Sequence, residues 1–207
     1  PLLDGYESGG FFCELLDQPD DPGLGRIIER LNALEPADLK RRAREAGSHL
    51  FNLGITFTVY TDRDSIDRVL PFDAIPRVLS GADWARIDAG VQQRVAAINA
   101  FLADVYNDGK ILRDGVVPED LVRGNKHYLR GMEGFTPPRG VYAHVAGIDL
   151  VRDGEGRFRV LEDNARTPSG VSYVIENRHI MMRSFPDLAE NVAIADVDQY
   201  GARLMVD

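Results

Sequence analysis

The strongest constraint in the sequence is a β-hairpin signal in its last third. Val141–Val151 and Arg157–Glu162 each have the pattern of a strand, and Asp153-Gly154-Glu155-Gly156 separates them. Glycine accepts the positive φ of tight turns, so the pattern predicts two antiparallel strands joined by a short loop. With the helical periodicity described below, it predicts an α+β fold with a mostly antiparallel sheet and packed helices.

The hairpin determines which side chains share a face of the sheet. If its loop contains two residues, Asp149 faces Val160 and Gly147 faces Glu162. Side chains alternate between the two faces of a strand, so Asp149, Val160, Glu162 and Asn164 are expected to point to the same side. Asp149 and Glu162 are then expected to be diagonal neighbours, about 7–8 Å apart. Gly147 is expected to leave open space beside Glu162.

Two carboxylates and one amide oxygen on a common face form a set of hard oxygen ligands. Mg²⁺ prefers such ligands and commonly shares its coordination shell with water and substrate phosphates. Carboxylates placed this way repel each other unless a cation or a proton intervenes. The pattern therefore predicts a metal site at Asp149, Glu162 and Asn164.

A turn rich in hydroxyl groups and glycine, Thr167–Gly170, follows these strands. Its Pro168 interrupts the strand, and helical character runs from Tyr173 to Phe185. Thr167 and Ser169 belong to the residue types that cap helix N-termini, where unpaired N–H groups suit phosphate or carboxylate. Nearby arginines could supply bidentate donors to such an anion; these are Arg166, Arg178 and Arg183.

The rest of the chain predicts helices and one strand. Apolar periodicity indicates a helix over Arg26–Leu34 and a second from Pro36 to Gly54. Ile55–Tyr60 then alternates in the manner of a strand. The longest apolar stripe runs from Ile87 to Val105, and we expect Trp84, one turn earlier, to pack in the core.

Composition restricts the partners and the location. The 207 residues include 33 acidic and 24 basic side chains, for a formal net charge of −9. This acidity disfavours broad contact with nucleic-acid phosphates. No apolar run reaches the roughly 20 residues that span a bilayer, and no signal peptide is visible. A single cysteine fits a reducing compartment. We therefore expect a cytoplasmic protein with neither nucleic acid nor a membrane as partner.

Several motifs resemble one known family. Gly147–Val151 and Leu161–Arg178 resemble the circularly permuted ATP-grasp proteins of the type 2 group, which are distantly similar to glutathionylspermidine synthase. Upstream stretches match the same family; these are Leu53–Tyr60, Pro71–Arg77 and Leu112–Pro118. The resemblance implies that the chain adopts part of a circularly permuted ATP-grasp fold.

The resemblance also implies a reaction. ATP phosphorylates a small-molecule or peptide carboxylate to an acyl phosphate, and an amine displaces phosphate to give an amide. ATP is the cosubstrate, and Mg²⁺ or Mn²⁺ offsets charge on the phosphates. By resemblance, Asp149, Glu162 and Asn164 would be the metal ligands, in agreement with the face assignment.

The resemblance implies an anion-binding role for the turn but does not identify which arginine assists it. The turn Thr167–Gly170, with Thr167, Ser169 and Gly170, would bind phosphate or the substrate carboxylate. The distant synthetases carry an arginine two positions before Asp149, where this chain has Gly147. We therefore expect another arginine to stabilise the transferring phosphoryl group; the candidates are Arg166 and Arg178.

Three regions are predicted along the chain. Residues 1–23 form an irregular arm, residues 24–140 a helix-rich region with one or more strands, and residues 141–207 the hairpin and helix that carry the metal site. In the family, the lobe that grips the nucleotide would follow residue 207. We therefore expect a fragment of a ligase that is inactive alone and works with the rest of its parent chain.

Two other functions are considered beside the ligase. In the first, the domain is a non-catalytic or regulatory ATP-grasp-like binding module, whose carboxylates only pair with arginines such as Arg139, Arg157 or Arg166. In the second, the strands form a metal-dependent nuclease. Asn164 stands where that nuclease pattern requires a lysine, and the net charge of −9 also disfavours it.

Overall fold

The computed structural model describes residues 1–18, 21–60, 65–69 and 71–205. Two 3₁₀ turns, Arg130–Met132 and Pro138–Gly140, lie in the long connection before the hairpin. The helices and strands follow in chain order: α1 (Pro22–Ala33), α2 (Pro36–Asn52), β1 (Thr56–Tyr60), β2 (Ser65–Val69), α3 (Gly81–Tyr106), α4 (Lys110–Arg113), α5 (Glu119–Arg123), β3 (Gly147–Arg152), β4 (Phe158–Asn164), α6 (Val171–Ser184), α7 (Pro186–Ala189) and α8 (Tyr200–Leu204).

The strands form two antiparallel pairs, β1 with β2 and β3 with β4. Together with the helices they make the α+β architecture that the sequence predicts. Strand β1 lies within the predicted Ile55–Tyr60, whereas β2 was not anticipated. Among the described residues, no helix is long and apolar enough to cross a bilayer.

The chain divides into two compact units. The first contains residues 1–80, 154–156 and 169–207, and the second contains residues 81–153 and 157–168. The division into three regions at residues 23 and 140 stays a prediction.

The first unit begins its helical part at a capped N-terminus. Asp21 Oδ1 accepts a hydrogen bond of 2.9 Å from the backbone N–H of Leu24, and Pro22 occupies the first turn. Both features favour helix initiation. Helix α1 therefore starts before the predicted Arg26, and it buries Leu24 together with two further apolar residues, Ile27 and Leu31.

Two apolar clusters hold this unit together. In the first, Phe185 is only 1% exposed and packs with residues of α1, α7 and the loop after β2, namely Ile27, Leu31, Ala74 and Leu188. In the second, Ile180 of α6 packs between Ala46 and Leu50 of α2. Helix α2 ends at Asn52, and Gly54, two residues later, has the left-handed conformation predicted for its cap, with φ of 71°.

The second unit is built on α3, the longest helix, with 26 residues. The prediction that Trp84 packs in the core is wrong, because this side chain is 58% exposed. Its neighbour Asp83 is buried instead, at 6% exposure. One residue turns an α-helix by about 100°, so Trp84 points away from the face that carries Asp83.

The β3–β4 hairpin differs from its predicted form in two ways. Strand β3 starts at Gly147, and not at Val141. The loop contains three residues, because the backbone N–H of Asp153 donates to the carbonyl of Arg157 at 2.9 Å. Gly156, with φ of 78°, closes this loop, as expected where a three-residue hairpin needs a left-handed residue.

We expect Phe185→Ala to lower the free energy of unfolding by about 3–5 kcal/mol, because it empties a fully buried aromatic site. Urea denaturation followed by circular dichroism measures this change. Phe11→Ala is the matched control: Phe11 is 77% exposed, and its removal should change stability by less than about 0.5 kcal/mol. Equal losses for the two variants would contradict the assigned core.

We expect Asp153→Asn to destabilise the hairpin in a pH-dependent way. The backbone N–H of Arg157 and the side chains of Arg159 and Arg157 hold the pKa of Asp153 well below its usual range. A depressed pKa contributes stability above the unfolded-state pKa of about 3.9, and this contribution is lost as pH falls further. Thermal melts should show a lower Tm for the variant at pH 7 and a shrinking difference below about pH 4. A difference independent of pH would contradict the prediction.

Candidate functional site

Asp149 and Glu162 lie directly opposite each other on β3 and β4. One step further, Gly147 lies opposite Asn164. The predicted pairs of Asp149 with Val160 and of Gly147 with Glu162 are therefore wrong. Residues so paired have Cβ atoms about 4.5–5.5 Å apart, closer than the diagonal arrangement expected from the sequence.

A β-bulge produces this register. Val160 pairs with Leu150, but Glu162 pairs with Asp149, so Leu161 is an extra residue in β4. The bulge reverses the alternation of every later side chain in the strand. Glu162 and Asn164 consequently share a face with Asp149, as predicted. The prediction that Val160 also lies on this face is wrong, because Val160 pairs with Leu150 before the bulge.

The shared face is acidic and open to solvent. Asp149, Glu162 and Asn164 are all exposed. Within the described part of the chain no guanidinium pairs with Asp149 or Glu162, and Arg157 binds Asp153 at 3.0 Å. The arginine pairing considered as an alternative is thus not found. Opposed like charges destabilise a strand pair, so this face favours a cation.

The donor set fits a hard divalent cation. Asn164 Nδ2 donates to Glu162 Oε1 at 2.9 Å, which orients both side chains. The oxygens that remain are Asn164 Oδ1, Glu162 Oε2 and the Asp149 carboxylate. Carboxylate and amide oxygens are ligands that Mg²⁺ accepts. No group of three or more His, Cys, Asp or Glu suited to a metal occurs among the described residues, so the amide is essential to this set.

An ion pair lies on the opposite face of the hairpin from these side chains. Asp163, between Glu162 and Asn164, points to the other face of the hairpin, where it forms an ion pair with Arg94 of α3. Arg94 Nε and Nη2 donate to the two carboxylate oxygens at 2.5 and 2.7 Å. The pair lowers the pKa of Asp163 and raises that of Arg94. The sequence prediction missed this contact, although Arg94 interrupts the apolar stripe of α3 three residues after Val91.

The space beside the site is smaller than expected. A Cβ placed on Gly147 would lie 3.0 Å from Pro168 Cβ. The prediction that Gly147 leaves open space beside Glu162 is therefore wrong on both counts: Gly147 faces Asn164, and Pro168 fills the space. The missing side chain permits the turn after β4 to approach β3.

The turn Thr167–Gly170 leads into α6. Gly170, with φ of 99°, is the N-cap, and no side chain of the described residues caps the helix. The first N–H groups of α6 therefore have no side-chain acceptor from Thr167 or Ser169, both of which are exposed. An anion could accept from such groups.

The candidate arginines differ in their contacts. Arg166 is exposed and makes no hydrogen bond or ion pair with any other described residue. Arg178 Nη1 donates to the carbonyl of Ala195 at 2.8 Å. Arg183 Nη1 lies 2.6 Å from His49 Nε2. Of the three candidates, Arg166 is thus the one whose guanidinium forms no hydrogen bond or ion pair within the described residues.

Comparison with known proteins identifies the family of this chain. A family model described as a circularly permuted ATP-grasp matches residues 76–206. An uncharacterized protein of Synechocystis sp. is 42% identical over 98% of this chain and 43% of its own length. A Frankia alni protein that carries the provisional name glutamate–cysteine ligase 2-3 is 37% identical over 90% of this chain and 22% of its own length.

A third relative is likewise much longer than this chain. An uncharacterized protein of Mycobacterium tuberculosis is 42% identical over 99% of this chain, which covers 37% of that relative. The chain thus spans about two fifths of the Synechocystis and Mycobacterium proteins. The matched family model covers most of the chain, including both strands of the hairpin. The chain belongs to the circularly permuted ATP-grasp family.

Proposed function

We propose that this chain is the metal-binding part of an ATP-dependent carboxylate–amine ligase. One observation carries the proposal: Asp149 and Glu162 oppose each other on one open face with Asn164 beside them, and no guanidinium among the described residues pairs with them. Family membership supports the ATP-grasp reaction class. In this proposal Asp149, Glu162 and Asn164 bind Mg²⁺ or Mn²⁺.

The bound cation would offset negative charge on the ATP phosphates. The protein's own residues then bind and orient the anions. The turn Thr167–Gly170 offers the N–H groups of the α6 N-terminus to a phosphate or to the substrate carboxylate. Arg166 stabilises the transferring group through its guanidinium, because charge-assisted bidentate bonds to phosphate are strong. Arg178 is the second candidate for this role.

The substrates belong to the carboxylate and amine classes. Two Frankia relatives carry provisional names of glutamate–cysteine ligase, a reaction that joins a carboxylate to an amine. We propose a small-molecule or peptide carboxylate and an amine for this chain. Its relatives are more than twice as long, so the remaining part of a longer protein would complete the nucleotide site, and the isolated chain should turn over slowly.

The metal proposal predicts that the effect of Asp149→Asn on stability depends on divalent cations. The variant should be more stable than wild type without them and should lose this advantage when they are present. Without divalent cations, Asp149→Asn should raise the free energy of unfolding by about 0.2–1 kcal/mol, because it relieves repulsion with Glu162. With 10 mM Mg²⁺ or Mn²⁺, we expect the wild-type Tm to rise and the variant Tm to stay constant, because only the wild type binds the ion. Differential scanning fluorimetry measures both effects.

A matched control uses another exposed carboxylate of the same unit. Asp88 lies on α3, where it accepts a hydrogen bond from Gln92, so Asp88→Asn should respond to the ions as the wild type does. Equal responses of wild type and Asp149→Asn would reject the metal site. They would favour instead the non-catalytic binding module.

The choice of arginine is also testable. A hydrogen bond to a charged group contributes about 1.5–3 kcal/mol, so Arg166→Gln should weaken binding of Mg²⁺–ATP by about tenfold or more. Arg178→Gln should have a smaller effect, because the Arg178 guanidinium already donates a hydrogen bond to the carbonyl of Ala195. Isothermal titration calorimetry compares the two variants. A larger loss in Arg178→Gln would reverse the assignment.

A further inference from the structure

The contact between α3 and the hairpin is incompletely packed. A cavity of about 660 Å³ separates them, with apolar walls that include Ile87, Val91, Leu150 and Val160. Leu150 is only half-buried, and Val160 is 38% exposed. Close packing of side chains normally fixes the distance between a helix and a sheet. Here the apolar contact alone does not fix it.

Two ion pairs bridge this cavity, one near each end of the hairpin. Near the loop, Arg152 Nη1 and Nη2 donate to the Asp83 carboxylate at 3.0 and 3.2 Å. At the other end, Arg94 donates to both oxygens of Asp163 at 2.5 and 2.7 Å. Both are bidentate, and this geometry restricts the angle as well as the distance between partners.

The second pair lies at the point where β4 most needs a restraint. Among the described strands β4 pairs only with β3, and it contains the bulge at Leu161. A slip of one residue would turn all its side chains to the opposite faces. Because Asp163 lies between Glu162 and Asn164, holding its carboxylate on the α3 side directs both neighbours toward Asp149.

We propose that Arg94 is a positioning residue, which keeps Glu162 and Asn164 on the face of Asp149 by holding Asp163 on the opposite face. This inference rests on the proposed function in so far as the three residues are metal ligands. Arg94 itself touches neither metal nor substrate. Its effect is on the geometry of the ligands.

Positioning and simple electrostatics predict opposite results. Replacing Arg94 by glutamine removes a positive charge near the site and leaves Asp163 negative. Coulomb attraction alone would then make a cation bind more tightly. Loss of positioning would make it bind more weakly, by about tenfold, as is typical when an outer residue that orients ligands is removed. The sign of the change therefore decides between them.

Mn²⁺ binding followed by electron paramagnetic resonance tests the inference in the whole chain. We expect Arg94→Gln to bind Mn²⁺ about tenfold more weakly than wild type. Arg94→Lys, which keeps the charge but loses the bidentate geometry, should also bind more weakly. The matched control is Arg86→Gln on the same helix, because Arg86 lies 3.8 Å from Asp83, too far for a hydrogen bond. Circular dichroism establishes that each variant is folded at the temperature used.

A second measurement needs no metal. The Asn164 side-chain amide donates to Glu162 at 2.9 Å, so its ¹H–¹⁵N signal should be displaced from that of a solvated amide. Arg94→Gln should return it to the solvated position, and Arg86→Gln should leave it unchanged. An unchanged Asn164 signal in folded Arg94→Gln, or Mn²⁺ affinity equal to or above wild type, overturns the inference. If wild type binds no Mn²⁺, the proposed function fails, and the amide signal alone decides the role of Arg94.

Discussion

One extra residue in β4 decides which face of the hairpin carries Glu162 and Asn164, the proposed metal ligands. Without Leu161 as a bulge, Glu162 would pair with Ile148 and point toward α3, and Asp163 would join Asp149 on the open face. The bulge costs little, since Leu161 is itself 68% exposed and gives up no buried contact. Everything proposed for the metal site depends on this local irregularity, because side-chain direction in a strand follows strict alternation.

Much of the fold could be predicted from periodicity and turn chemistry. Helices α2 and α3, the Gly54 cap and the existence of the β3–β4 hairpin follow from local patterns. The shared face of Asp149 and Glu162 was also predicted, but through two errors that compensate. The loop has one residue more than expected and the bulge adds a second, and two single-residue shifts restore the original face.

Other features could not be predicted because they depend on tertiary contacts. No glycine or proline marks Leu161 as a bulge, so nothing local distinguishes it from an ordinary strand residue. The exposure of Trp84 depends on which face of α3 meets the hairpin. The Arg94–Asp163 pair joins residues 69 apart in the chain. Its only local signal is a charge within an apolar stripe, and many solvated arginines share that signal.

The contact between Gly147 and Pro168 links two positions that are 21 residues apart. The Cβ of any side chain at residue 147 would lie 3.0 Å from Pro168 Cβ, so Gly147 cannot be replaced unless the turn after β4 moves. The distant synthetases that resemble this chain carry an arginine at the first position. Because every residue except glycine carries a Cβ, an arginine at position 147 requires either glycine at position 168 or a shift of the turn by a few tenths of an ångström, so steric contact couples the two positions during divergence.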